Sequence, residues 1–140
     1  MAKITLLNYA TGDKWAPLGC LQILAALRNE GYQVNFLDLQ TIDGGIHKPD
    51  ILNDNSEYLL ISTVSMMLPW LFQTIKAIKE KNPERKIILG GPGASPISER
   101  ILERVKSVDY VVEGEGETAI VELMKALEKN HDLLRSLKNI

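Results

Sequence analysis

Glu57-Tyr58-Leu59-Leu60-Ile61-Ser62-Thr63-Val64 carries the strongest structural signal in the chain. Residues 58 to 61 are apolar on consecutive positions, with none of the polar alternation that marks a strand wetted on one face. A strand of that kind is buried on both faces, which places it in the middle of a parallel sheet. On either side of it, Lys3 to Asn8, Gln33 to Asp38, Lys86 to Leu89 and Tyr110 to Val112 read as four further strands. Helical patterns separate them. Pro17 opens the first at a position where its missing N–H costs nothing. Leu18, Leu21, Leu24 and Ala25 supply its apolar face, and Gly31 ends it. Leu71, Ile75 and Ile78 form a second stripe after Pro69, stopping before Asn82-Pro83. Ser95 and Pro96 read as N-cap and first helical residue of a third helix, carried by Ile97, Ile101, Leu102 and Val105. Glu117 to Lys129 is the fourth, with Ala119, Ile120, Leu123 and Leu127 facing inward. Gln40 to Asn55, with Gly44-Gly45 and Pro49, reads as a long loop.

Five strands alternating with four helices predict an α/β three-layer sandwich around a parallel sheet. The expected strand order is the flavodoxin-like (Rossmann-like) 2-1-3-4-5, with the ligand crevice at the carboxyl ends of the strands beside the switch between strands one and three. The 140 residues fit one domain, 1–140, in which 131–140 read as a tail or a linker to a further domain. Apolar residues at 45% and charged residues at 24% match a globular protein able to bury a core. The net charge of −2 lacks the basic excess that a nucleic-acid partner would demand. Cys20 is the single cysteine, so cysteines here build no disulfide, zinc site or iron–sulfur cluster. The cysteine usage, the lack of an apolar leader at the start and an apolar run (Leu59 to Phe72) too short and too polar to span a bilayer all fit a cytoplasmic protein without a membrane partner.

Four loops therefore matter: Tyr9 to Ala16, Ser62 to Leu68, Gly90 to Ser95 and Glu113 to Glu117. The first, around Thr11-Gly12, faintly resembles the phosphate loop of flavodoxins, which would imply a flavin. Ala10 and Lys14 replace two of its hydroxyl positions, and the helix starts about five residues too late to meet the phosphate. Gly114-x-Gly116-x-x-Ala119 has the outline of a dinucleotide fingerprint, but Glu113, Glu115 and Glu117 surround it. Carboxylates favour the helix dipole there and would repel a pyrophosphate. A phosphoryl-receiver domain would need acids where Asn8 and Ser62 stand and a lysine in place of Glu113. Gly90-Gly91-Pro92-Gly93 is harder to explain as a plain turn. Three glycines at the end of a central strand let a ligand or another backbone approach closely. The neighbouring Ser62 and Ser65 offer hydroxyls to the same crevice, or else simply cap the turn that follows.

The ordered set of these motifs resembles the cobalamin-binding domain of cobalamin-dependent radical S-adenosylmethionine enzymes. It runs from Trp15-Ala16-Pro17-Leu18-Gly19 through Arg28-Asn29-Glu30-Gly31-Tyr32 and Asp38. It continues with Ile61-Ser62 and Ser65, then Leu89-Gly90-Gly91-Pro92 with Ala94-Ser95, and closes with Asp109 to Glu117. The resemblance implies a cobalamin whose nucleotide tail descends beside strands three and four, lined by Ser62, Ser65, Gly90, Gly91 and Gly93. Pro17, Leu18 and the loop before them, with Thr11, Gly12 and Trp15, would lie under the corrin. Glu113, Gly114 and Glu115 would lie at its rim.

Where mutase-type relatives place a cobalt-ligating histidine two residues after an aspartate, this chain has Trp15 after Asp13. His47 and His131 fall outside the four loops, so no histidine ligand to cobalt is expected. Where many relatives carry a histidine in the Gly-Gly-Pro-x-Ala-Ser loop, this chain has Gly93. The cluster cysteines of the catalytic half have no counterpart here. The expected function is a module that positions cobalamin for methyl transfer or radical chemistry on a radical S-adenosylmethionine domain, in cis or in trans. No catalytic residue is assigned to the module itself. The alternatives are a ligand-free docking or oligomerisation domain, for instance a homodimer, and a flavin-binding redox protein.

Overall fold

A computed structural model describes residues 3–9, 17–38 and 54–129. Five strands, β1 (Ile4–Tyr9), β2 (Val34–Asp38), β3 (Tyr58–Thr63), β4 (Lys86–Gly90) and β5 (Tyr110–Val111), form one parallel sheet in the order β2-β1-β3-β4-β5. The helices are α1 (Leu18–Asn29), α2 (Leu68–Lys81), α3 (Ser98–Arg104) and α4 (Glu117–Lys129). The predicted sheet order is the observed one, and β3 lies at the centre with β1 and β4 on its flanks.

Parity along the strands sorts the core. Side chains alternate across a sheet, and the two buried clusters divide by residue number. Leu7, Tyr9, Leu59, Ile61, Ile87, Leu89 and Val111 pack under α2 and α3, against Leu71, Ile75, Ile78 and Ile101. Ile4, Leu6, Val34, Leu60, Ile88 and Val112 pack under α1 and α4, against Cys20, Leu24, Leu27, Ile120, Leu123 and Met124. Both clusters use β3, which is why its sequence has no polar alternation.

Three local expectations differ from the structure. Of Ile97, Ile101, Leu102 and Val105, read as the face of the third helix, Ile101 is buried, whereas Ile97 and Leu102 face out and Ile97 lies in the turn before α3. On α1 the buried residues are Cys20, Leu24 and Leu27, spaced four and three apart, while Leu18 is 70% exposed and Leu21 also faces out. The helix has more leucines than its buried stripe can take, and the stripe runs through the cysteine. Ser95 does not cap a helix with its side chain. Ser95–Ile97 form a single 3₁₀ turn, α3 begins at Ser98, and the Ser95 hydroxyl instead accepts the Gly114 N–H at 2.8 Å. That bond ties the loop after β4 to the loop after β5.

Candidate functional site

Strand register builds the site in two tiers on the α1/α4 side of the sheet. Asn8, Ser62 and Gly90 stand level across β1, β3 and β4; two residues lower stand Leu6, Leu60 and Ile88. Two residues of strand span about 7 Å. A cavity of about 500 Å³ opens against both tiers, its walls formed by Gly19, Gln22 and Ile23 of α1 and by Gly116, Glu117 and Ile120 around the start of α4. Ser62, Gly90, Gly91, Pro92, Ser95 and Pro96 line it from the loops after β3 and β4, and Val112, Gly114 and Glu115 from the end of β5. The volume is that of an ordinary small-molecule site.

Gly91 and Gly93 shape the loop that borders this slot. Gly91 has φ +89°, and a Cβ there would stand 2.7 Å from Ser62 Oγ and 3.0 Å from the Thr63 carbonyl oxygen. A Cβ on Gly93 would stand 2.5 Å from the Val64 carbonyl carbon and 2.7 Å from the Ser65 nitrogen. The Gly93 N–H donates to the Thr63 carbonyl at 3.0 Å, and the Thr63 hydroxyl donates to the Tyr9 carbonyl at 3.0 Å. The loop after β4 is thus laid directly on the end of β3.

The residues expected in the site divide accordingly. Ser62, Gly90, Gly91, Gly114 and Glu115 come together around the slot. Gly93 is buried in backbone packing behind it, and Ser65 is exposed in the turn that leads to α2. Glu113 is exposed and accepts a hydrogen bond from the Ser98 hydroxyl at the start of α3. Pro17 and Leu18 sit at the head of α1, outside the slot lining. Thr11, Gly12 and Trp15, and with them the loop compared with flavodoxins, lie outside the described residues, as do His47 and His131. Reading the loops alone passes over Leu6, Leu60, Ile88, Ile23 and Ile120. Their signal is present but indirect: the even-numbered strand positions and the one-turn spacings from Gly19 to Ile23 and Gly116 to Ile120 share a face.

The polar chemistry of the slot is one-sided. Glu115 and Glu117 border it, and among its described lining residues there is no lysine, arginine or histidine. Cys20 is buried next to Ser62. Burial pushes its thiol up from the ordinary value, so it is held protonated rather than as a reactive thiolate. Among the described residues no group of three or more His, Cys, Asp or Glu is placed to hold a metal ion.

The family model described as the B12 binding domain matches residues 4–124, spanning every strand and the walls of the slot. The chain belongs to the B12-binding domain family. Two curated proteins resemble this B12-binding domain, both named anaerobic magnesium-protoporphyrin IX monomethyl ester cyclase. The one from Cereibacter sphaeroides is 28% identical over 135 residues, covering 89% of this chain and 22% of that protein. The one from Synechocystis sp. is 29% identical over 127 residues, covering 86% and 25%. The B12-binding domain therefore spans about a quarter of the length of these relatives. A crystal structure described as a novel cobalamin-binding protein from Desulfitobacterium hafniense has the same fold. Its TM-score is 0.66 at 20% identity, over 89% of this chain and 58% of that one. Among the described residues no helix of this B12-binding domain is long and apolar enough to cross a membrane.

Proposed function

We propose that this domain holds cobalamin with the nucleotide arm in the slot between α1 and α4, and presents the corrin to a separate catalytic domain. The observation that carries the reading is the slot itself. It opens at the carboxyl end of the sheet beside the β1/β3 switch, where α/β folds bind ligands, and its own side chains do not fill it. The residues fit the group. Gly90, Gly91 and Gly116 keep the walls thin, Ser62 and Ser95 offer hydroxyls near the mouth, and Glu115 can accept hydrogen bonds from amide N–H groups at the corrin periphery.

Cobalamin, when bound, supplies the cobalt-centred methyl-transfer or radical reactivity; the protein supplies binding and orientation. The chain's own part is to exclude water from the arm and to fix the height of the ring above the sheet. Leu18, Met66 and Trp70, 70%, 76% and 48% exposed, stand at the same carboxyl end, on the heads of α1 and α2 and the turn before α2. Apolar groups so exposed suit coverage by a partner. Together with the sequence resemblance, they support a radical S-adenosylmethionine domain as that partner, in cis or in trans, with methyl transfer or related radical chemistry as the reaction class.

The test is titration of the purified chain with hydroxocobalamin and methylcobalamin, followed by absorbance and by isothermal calorimetry. Saturable one-to-one binding is expected. Failure of both cofactors to bind up to high micromolar concentration overturns the reading and leaves a docking element of the same fold.

A further inference from the structure

The lower tier of the slot has a chemistry that the family assignment does not specify. Below Ser62 and Gly90, the strand floor is Leu6, Leu60 and Ile88, and the helices add the aliphatic walls Ile23 and Ile120. That strand floor carries no polar side chain; the slot's polar side chains are Gln22 of α1, Ser62 at the end of β3, and Ser95, Glu115 and Glu117 from the loops and the start of α4. A polar ring edge placed there would lose water and gain no hydrogen bond, a cost that protein substitutions put at the equivalent of about tenfold to hundredfold in affinity. Gly19 of α1 is one of the slot's lining residues, and a Cβ there meets nothing within 4 Å.

Resting on the cobalamin reading above, we propose that the slot selects among corrinoids by their nucleotide base. It favours bases with apolar edges, such as dimethylbenzimidazole, over purines such as adenine, whose amino group and ring nitrogens find no partner in the lower tier. Gly19 is the residue that admits the base. Side-chain bulk at this position closes the slot without touching the core, since the residue lies in the first turn of α1 and away from the buried stripe of Cys20, Leu24 and Leu27.

The experiment compares the affinity of the purified chain for three corrinoids: hydroxocobalamin, its adenine-base counterpart, and cobinamide, which has no nucleotide base. Each is titrated against wild type and Gly19→Leu by absorbance, and circular dichroism confirms that both fold. Wild type is expected to bind the dimethylbenzimidazole form roughly tenfold to hundredfold more tightly than the adenine form. In Gly19→Leu that preference is expected to disappear, with both forms falling to the cobinamide value and cobinamide unchanged. Equal wild-type affinity for the two bases overturns the selectivity while leaving the cobalamin reading intact. An unchanged preference in Gly19→Leu overturns the placement of the base beside Gly19. Absence of binding by all three corrinoids overturns the cobalamin reading and the selectivity with it.

Discussion

Gly91 and Gly93 stand two residues apart and are required for different reasons. Gly91 combines a left-handed backbone with contact against Ser62 and Thr63, whereas Gly93 has ordinary backbone angles and is needed only because β3's continuation lies where its side chain would be. All three atoms nearest a Cβ on Gly93 belong to the backbone, which cannot rotate away. Gly93→Ala is therefore expected to destabilise the fold by about 1–3 kcal/mol, as overpacking does elsewhere, read as a lower urea midpoint at unchanged slope. A midpoint equal to wild type would show that the loop lifts off β3 at no cost. At the opposite end of the sheet Arg85 is buried, donating to the Asp54 carbonyl at 3.0 Å, to Ser56 Oγ at 2.7 Å and to the Asp54 carboxylate. Burial pulls the Arg85 pKa down and Asp54 pushes it back up. Its Nε is buried without a partner among the described residues, so the cluster has little to spare. Asp54→Ala strands a buried cation and is expected to cost about 3–5 kcal/mol, while Arg85→Met, which removes the charge and keeps much of the volume, costs less. Chemical denaturation of the two variants checks the order, and a reversed order would mean that Asp54 contributes only its backbone.

At the level of single helices and strands, α1 separates what the sequence makes plain from what it does not. Helices and strands follow from local signals: apolar runs, prolines at helix starts, glycines at ends, and a central strand with no polar alternation; the sheet order follows instead from the arrangement usual for one α/β domain of this size. The limits of α4 are read correctly from Glu117 to Lys129 because its apolar spacing has one solution. On α1 the spacing has two, since Leu18, Leu21, Leu24 and Ala25 and the stripe of Cys20, Leu24 and Leu27 are both helical faces. Only the position of the helix against the sheet decides between them. The same ambiguity hides the slot, whose mouth is made of loop residues with visible oddities and whose depth is made of leucines and isoleucines indistinguishable from core. Ser95 shows the converse: its capping signature is real, yet its hydroxyl goes to Gly114 because the neighbouring loop is closer than the helix end. The two faces of α1 predict unequal costs. Leu24→Ala is expected to lose about 2–5 kcal/mol, and Leu21→Ser to stay within about 0.5 kcal/mol of wild type. Thermal unfolding of both variants checks this, and equal losses would restore the face read from sequence.

Across the fold as a unit, the tyrosines convert burial into a pH limit. The chain has four, and all of them, Tyr9, Tyr32, Tyr58 and Tyr110, are pushed above the ordinary phenol value, with burial the largest cause in each case. They lie on both faces of the sheet: Tyr9 packs under α2, where its hydroxyl shares a hydrogen bond with Thr74 at 3.1 Å, and the other three belong to the α1/α4 side. Tyr32 rises furthest, to about 12, through burial first and then through the hydrogen bond it donates to Glu128 of α4 at 3.1 Å. A phenol whose pKa is higher in the fold than in the unfolded chain binds its proton more tightly when folded. Its stabilising contribution is complete below the unfolded value near 10 and is lost as pH rises through the folded value. The melting temperature is therefore expected to begin falling above about pH 10, with phenolate absorbance appearing together with loss of helix rather than before it. Tyr32→Phe removes the most strongly shifted group and the hydroxyl facing Glu128, so its melting temperature falls less steeply between pH 10 and about 12. A variant that tracks wild type across that interval would assign the alkaline limit to the other three tyrosines.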